Sequence, residues 1–251
     1  MKSENESTVP LLSPAPNPFG SRTRQHGYRL LATMEGPVAT EVFRKNLADW
    51  KKEKPGALLD LIEGAEAKKS DETVAKLLAD YEPSLDASDP VAPFRAALKG
   101  GDVKRGKEIL MTHAAGQCAK CHKVNGDGGV AGPELTGIGS KQDHEYLLAS
   151  LVDPSSVVVP GYGMMMVTLK NGESIGGALL EETAEKVVLK VPDPDDSNQQ
   201  IEKAIAMSEI ETRQPPVSAM PPMGYVLTKA EVRDLVAYLV SLKEKNGKKG
   251  H

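Results

Sequence analysis

The 251-residue sequence is poor in cysteine, in aromatic residues and in long apolar runs. Its two cysteines are too few for a disulfide-stabilised scaffold, and aromatic residues make up only 4% of the chain, which leaves few large side chains to fill a core. No apolar run approaches the length that spans a bilayer. The net charge of −4 excludes the basic excess that is typical of nucleic-acid-binding domains.

The two cysteines lie three positions apart and are followed directly by a histidine, in the segment Cys118-Ala119-Lys120-Cys121-His122. This C-x-x-C-H pattern is typical of covalent c-type haem attachment. Two thiols at this spacing can reach neighbouring vinyl groups on one porphyrin edge, and imidazole is a suitable axial donor for the iron. The sequence therefore predicts one covalent haem c on Cys118 and Cys121, with His122 as an iron ligand.

Two other interpretations compete for the same cysteines. A bare C-x-x-C can be a redox dithiol, although such a dithiol normally lies beside a βαβ pattern, which is missing from the surrounding sequence. The pair can also be half of a zinc site with His113 and His122, although structural zinc usually shows a second ligand pair at characteristic spacing. The histidine after the second cysteine favours haem.

The loop after the motif, residues 129–135, offers groups that can complete the site. A histidine ligand usually donates its free N–H to a carbonyl or carboxylate, and we expect the Pro133 carbonyl to be the acceptor for His122. The alternative is that Pro133 is an ordinary turn proline. Leu135 is expected to pack on the haem face.

The second axial ligand is sought among methionines and histidines. Met220 is the first choice and Met223 the second, because both precede the last helix, where a loop can cover the distal face and supply a thioether. Met164–Met166 are predicted to lie in a strand core, with one side chain turned outward. His113 and His144 are expected to be surface or helix residues.

Changes of periodicity divide the chain into segments. Asn171-Gly172 predicts a hairpin turn within a strand-rich region, and Thr228 predicts the start of a long amphipathic helix. The predicted segments are an irregular N-terminus over 1–35, a helical extension with a linker over 36–92, a part with the haem motif over 93–162, a β-rich part over 163–212, a distal loop with the last helix over 213–245, and a tail over 246–251.

Residues from about 95 to 243 resemble class I cytochromes c. More specifically, they are similar to the haem-binding domain at the C-terminus of predicted membrane-associated dehydrogenases of planctomycetes and verrucomicrobia. The resemblance implies a mainly α cytochrome c fold with an inserted small antiparallel β-barrel, Sm- or SH3-like, and an α+β fold overall. It lies in the segments 101–106 (GDVKRG), 118–124 (CAKCHKV), 132–139 (GPELTGIG), 151–155 (LVDPS), 170–172 (KNG), 220–221 (MP) and 234–239 (DLVAYL).

The resemblance implies an electron carrier rather than an enzyme, either alone or as the cytochrome domain of a larger dehydrogenase. The expected partners are redox proteins: a periplasmic dehydrogenase as donor, and a cytochrome or oxidase as acceptor. No nucleic acid and no transmembrane segment are expected. Met1–Ser7 shows no apolar signal region, yet haem is attached to such motifs outside the cytoplasm. We therefore expect a periplasmic or otherwise exported location, with the chain as a mature form or part of a longer polypeptide.

Two other functions remain open at this point. One is a haem-based sensor or catalyst with an open distal site, in which Met220 does not bind the iron. The other is a partner-binding module that uses the β-insertion as its docking surface. Exposed side chains at Met164–Met166 would favour the second of these, and their burial would place them in the core.

Overall fold

The computed structural model describes residues 20–82, 85–196 and 199–244. It contains an N-terminal group of helices, a second group of helices that carries the C-x-x-C-H segment, and an antiparallel sheet inserted before the last helix. Each of the three has its own cluster of buried apolar side chains. Within the described residues, no helix is both long and apolar enough to cross a membrane.

The N-terminal group packs four helices around a core that includes Tyr28, Phe43 and Val74. Asp71 caps the fourth helix by accepting a hydrogen bond from the Val74 amide. The helices are α1 (Ser21–Thr33), α2 (Pro37–Ala48), α3 (Leu58–Glu66) and α4 (Glu72–Tyr81), with a short 3-10 turn at Trp50–Lys52 between α2 and α3.

The predicted irregular N-terminus over 1–35 is wrong for Ser21–Thr33, which form α1, whereas residues 1–19 lie outside the described residues. The buried face of α1 carries Arg24 and Gln25 beside Tyr28 and Leu31. Polar residues therefore interrupt the apolar spacing by which an amphipathic helix is recognised. The predicted tail over 246–251 also lies outside the described residues.

The second group of helices is organised by the crossing of α5 and α9. A Cβ at Gly106 would overlap the Asp234 carbonyl oxygen, so glycine is what lets the two helices approach this closely. Asp102, Asp143 and Thr228 cap α5, α8 and α9. The elements are a 3-10 turn (Ala92–Ala97), α5 (Val103–Thr112), α6 (Cys118–Cys121), α7 (Ile138–Lys141), α8 (His144–Val152), a 3-10 turn (Met223–Tyr225) and α9 (Lys229–Ser241).

The inserted sheet is antiparallel throughout, with the strand order β6 (Gln200–Ala206), β5 (Lys186–Pro192), β4 (Ser174–Glu182), β3 (Gly163–Leu169) and β7 (Ile210–Arg213), and β8 (Val217–Ser218) is also paired to β3. The predicted hairpin turn at Asn171-Gly172 joins β3 to β4, and Gly172 has a φ of 89°. A separate two-residue ladder joins β1 (Lys123–Val124) and β2 (Asp127–Gly128).

The predicted Sm- or SH3-like barrel is not supported, because the sheets of the described residues are open. The turn Met207–Glu209 leads directly from β6 at one edge to β7 at the other, yet the two edge strands are not paired with each other. β6 buries Ile205 but leaves most of its other side chains exposed, so little apolar contact favours closure. The mixture of helix with antiparallel strand agrees with the predicted α+β class.

Candidate haem site

Cys118 and Cys121 are the two ends of the one-turn helix α6. Their spacing of three residues places both thiols on the same side of that turn, and both are free of disulfide bonds. The residue before the turn, Gln117, adopts a left-handed conformation with a φ of 46°, which redirects the chain between α5 and α6. The cysteines are therefore displayed by a short rigid turn.

The His122 ring follows α6 and lies 2.8 Å, Nδ1 to carbonyl oxygen, from Pro133. This is the contact that the sequence predicts. Because a carbonyl oxygen can only accept a hydrogen bond, Nδ1 carries the hydrogen and is the donor. This tautomer leaves the lone pair of Nε2 free to bind a metal. A Cβ on Gly132 would lie 2.7 Å from the His122 Cε1 atom, so glycine is what lets the loop approach the ring.

Backbone hydrogen bonds hold the loop with Gly132 and Pro133 against α6. The Gly129 amide donates to the Ala119 carbonyl at 2.9 Å, and the Gly132 amide donates to the Cys121 carbonyl at 2.8 Å. A third bond, from the Leu135 amide to the Lys123 carbonyl at 2.9 Å, continues the contact. The orientation of the His122 ring is thus fixed by the backbone around it.

Several apolar side chains at the edge of the main core, which is the buried core of the second helical group, are only partly covered by protein. They pack against the buried residues of that core, keep part of their area exposed, and include Cys118, Leu135, Ile138, Tyr146 and Met220. Partly exposed apolar side chains of this kind can contact a large flat apolar group. Together with two free thiols and an imidazole whose Nε2 is available, these residues fit a covalently held haem.

Met220 and Met223, the two candidates for the second axial ligand, differ in their surroundings. Met223 is 3% exposed and lies in the main core, so its thioether is occupied by packing. Met220 is partly buried at the edge of the same core. Their burial therefore favours Met220, the ligand that the sequence predicts first.

The thiol of Cys118 does not have the lowered pKa of a catalytic redox dithiol. Burial raises its pKa, and the neighbouring Cys121 adds to the rise. The cysteines of catalytic C-x-x-C motifs instead act as thiolates of lowered pKa. Among the described residues, moreover, no group of three or more His, Cys, Asp or Glu side chains is placed to hold a metal ion.

His113 ends α5 and contacts two elements at once, and the sequence does not predict these contacts. Its Nδ1 accepts a hydrogen bond of 3.0 Å from the Gly116 amide, and its Nε2 lies 3.4 Å from a Glu231 carboxylate oxygen. Hydrogen bonds from Thr228 lower the pKa of Glu231, and His113 adds to that effect. The Thr228-x-x-Glu231 capping box is readable in the sequence, but its link to His113 depends on how α5 packs on α9. His144 is the first residue of α8, a helix position as expected.

The methionines of β3 depart from the prediction that one of them is turned outward. Met165 is 3% exposed and faces the sheet core, whereas Met164 and Met166 are 54% and 46% exposed. Because side chains alternate along a strand, a buried central methionine turns both of its neighbours outward. Two of the three are therefore surface residues.

One family model matches the chain. Residues 103–173 match the family described as Cytochrome c, from α5 through the C-x-x-C-H motif and the Pro133 loop to the β3–β4 turn. Met220 and α9 lie beyond this match. No curated protein matches the chain at a significant level. A cytochrome c domain is thus present, and such a domain implies a haem and haem-based electron transfer.

Proposed function

We propose that this protein is a monohaem c-type cytochrome that carries electrons from a periplasmic dehydrogenase to a downstream acceptor such as an oxidase or another cytochrome. The observation that supports it best is the hydrogen bond between His122 and Pro133 directly beside the two thiols of α6. It provides an imidazole of fixed tautomer at the place where a c-type haem would need its first axial ligand.

Each residue of the site would have a separate role. Cys118 and Cys121 would hold the haem covalently through thioether bonds, and His122 would bind the iron through Nε2. Pro133 would orient the imidazole, and Leu135 would cover part of the porphyrin. The bound haem supplies one-electron exchange between the ferric and ferrous states.

Met220 would be the second protein ligand of the iron. A thioether is a soft ligand that favours the ferrous state and raises the reduction potential. With both axial positions filled by protein, no position remains for a substrate. This coordination fits an electron carrier better than it fits a sensor or catalyst with an open distal site.

The finer assignment rests on the resemblance described above. The chain would then be of the planctomycete and verrucomicrobial type, either acting alone or as the cytochrome domain of a larger dehydrogenase, and it would be exported to the periplasm. The sheet at 163–212, which lies between the haem histidine and the distal methionine, fits that arrangement.

The visible spectrum of the haem-loaded protein tests the ligand set. A haem assay should give one haem for each chain. The ferric protein should show the weak far-red band expected for methionine ligation, which Met220→Leu should abolish. Met223→Leu is the matched control, because it removes the other thioether at nearly constant volume and should keep the band.

Three outcomes would contradict parts of the proposal. Haem that stays on the denatured chain after Cys118→Ser and Cys121→Ser together would exclude attachment through these two thiols. A far-red band that survives Met220→Leu but disappears in Met223→Leu would move the ligand to Met223. Stoichiometric binding of CO by the untreated ferrous protein would favour the sensor or catalyst with an open distal site.

A second candidate function, docking of a protein partner on the sheet, is favoured by the exposure of Met164 and Met166. Val217 lies beside Met164 across the β3–β8 ladder and is also exposed, so the three form one apolar patch. Replacing both methionines by glutamine should leave reduction by ascorbate unchanged but slow reduction by a periplasmic extract of the source cells. Equal slowing of both reactions, or of neither, would argue against docking at this patch.

A further inference from the structure

We infer that the inserted sheet and two serines, Ser155 and Ser218, position Met220 as an axial ligand. This inference rests on the proposed function, since it concerns how the distal ligand is held. It assigns a role to the sheet that neither the family match nor the motif provides. β3, β8 and the turn after α8 meet immediately before Met220.

The first connection is the ladder between β3 and β8. Gly163 pairs with Ser218 and Met164 pairs with Val217, so β8 is part of the sheet until two residues before Met220. A Cβ at Gly163 would overlap a methyl group of Val158 and would lie 3.1 Å from Pro216 Cβ. Tight packing at this corner therefore fixes the direction in which the chain enters the distal loop.

The second connection consists of two successive hydrogen bonds from backbone amides to the hydroxyls of Ser155 and Ser218, which we call the relay. The Ser218 amide donates to the Ser155 Oγ at 3.2 Å, and the Met220 amide donates to the Ser218 Oγ at 3.1 Å. Ser155 belongs to the turn after α8, where the Ser156 amide donates to the Asp153 carbonyl. The backbone of Met220 is thereby connected to the end of α8, whose last turns lie in the main core.

The loop is anchored again immediately after Met220. Pro221 and Pro222 restrict the backbone, and Met223 is buried in the main core. Met220 therefore lies in a short segment between two fixed points, Ser218 on the sheet and Met223 in the core. Because a thioether is a weak ligand, its bond to iron gains from a backbone that is already in place.

The test compares Ser218→Ala and Ser155→Ala with Ser156→Ala in the haem-loaded protein. Ser156 is the matched control, because its hydroxyl donates to the Asp153 carbonyl in the same turn but makes no contact with the relay. Displacement of the distal ligand by imidazole is titrated in the ferric protein, and hydrogen exchange of the Met220 amide is measured by NMR.

Loss of one relay bond should make imidazole displace the ligand at roughly threefold to tenfold lower concentration, as expected for one hydrogen bond. Exchange of the Met220 amide should accelerate in Ser218→Ala, and Ser218→Thr, which keeps a hydroxyl, should restore both values. Unchanged titration and exchange in Ser218→Ala would overturn the inference.

The two proposals fail in distinguishable ways. If the unsubstituted protein shows no far-red band, Met220 is not the ligand and that part of the proposed function fails. The exchange rate of the Met220 amide still tests the relay in that case. If this amide exchanges as slowly in Ser218→Ala as in the unsubstituted protein, the relay does not hold the backbone of Met220. If the band is present but the serine variants behave like Ser156→Ala, only the inference fails.

Discussion

Arg233 of α9 donates a hydrogen bond of 2.6 Å from Nη1 to the carboxylate of Asp60 on α3, and both side chains are almost completely buried. The two residues lie 173 positions apart in the sequence. Arg29 of α1 donates to the other oxygen of the same carboxylate at 2.7 Å. A buried ion pair therefore joins the N-terminal helices to the last helix.

Replacing Asp60 by alanine is expected to lower the free energy of unfolding by about 3–5 kcal/mol, because it leaves the guanidinium of Arg233 buried without its partner. Chemical denaturation measures this change. The control is Glu41→Gln, which removes a half-exposed charge beside Arg44 and should cost less than about 1 kcal/mol. Adding Arg233→Met to Asp60→Ala should recover part of the loss, since the double variant has no unpaired buried charge.

The same ion pair predicts that both helical groups unfold together. Trp50 is the only tryptophan of the chain, and it lies in the N-terminal group, whereas haem absorbance would report on the group around α6. Unfolding followed by tryptophan fluorescence and by haem absorbance should give coincident transitions. Two separate midpoints in the unsubstituted protein would show that the buried contact does not couple the groups.

Gly132→Ala is predicted to disturb the imidazole without removing any polar group. The added Cβ would lie 2.7 Å from Cε1 and 2.9 Å from Nδ1 of His122, so either the ring or the loop must move and the bond to Pro133 must lengthen. We expect a loss of stability of about 1–3 kcal/mol and a decrease in the low-spin, six-coordinate fraction of the haem. Absorption and paramagnetic resonance spectra measure that fraction.

Gly20→Ala is the control for this substitution, because a Cβ there meets nothing within 4 Å and the backbone φ of −68° suits any residue. It should leave the spectrum unchanged and cost less than about 1 kcal/mol, because Gly20 is only the N-cap of α1. If Gly132→Ala behaves in the same way, the close approach of the loop is not needed to orient His122.

The local features of the fold could be predicted from the sequence. Thr228 marks the start of α9, and Asn171-Gly172 marks the β3–β4 turn. The hydrogen-bond acceptor for His122 could be predicted because metal-binding histidines usually donate to a carbonyl or carboxylate, and Pro133 is nearby in the sequence. Each of these signals lies within 11 residues of the structure that it determines.

The features that were missed depend on contacts between distant segments. The sequence did not predict α1 because Arg24 and Gln25 are buried through long-range polar contacts. For example, the side-chain amide of Gln25 donates to the carbonyls of Gly56 and Gly100. The bridge from His113 to Glu231 depends on the packing of α5 on α9. Whether the sheet closes depends on whether its two edge strands pair with each other, and a strand pattern alone does not specify this pairing.

Gly106→Ala is predicted to destabilise the crossing of α5 and α9, although alanine is normally the better helix former. A Cβ at this position would overlap the Asp234 carbonyl oxygen and lie 2.7 Å from the Tyr238 Cβ, so the helices must separate. We expect a loss of about 3 kcal/mol, measured by thermal or denaturant unfolding. Lys107→Ala on the same helix is exposed and should stay within about 0.5 kcal/mol of the unsubstituted protein. A neutral Gly106→Ala would show that the two helices can separate at little cost.

Acid should remove one contribution to the stability of the N-terminal helices, because hydrogen bonds from the Arg44 guanidinium and the Val74 amide lower the pKa of Asp71 to about 2. A carboxyl group whose pKa is lower in the folded state than its unfolded value of about 4 stabilises the fold above that unfolded value, and the effect is lost as the pH falls towards the folded value. Asp71→Asn keeps a good helix cap but removes the charge that pairs with Arg44.

The unsubstituted protein should therefore have the higher melting temperature at pH 7, and the difference from Asp71→Asn should shrink between about pH 4 and pH 2. Calorimetry over this range measures it. Asp80→Asn, at an exposed position in the same helix, is the matched control for removing one negative charge. A difference that stays constant from pH 7 to pH 2 would mean that the cap of α4 matters and that the ion pair with Arg44 does not.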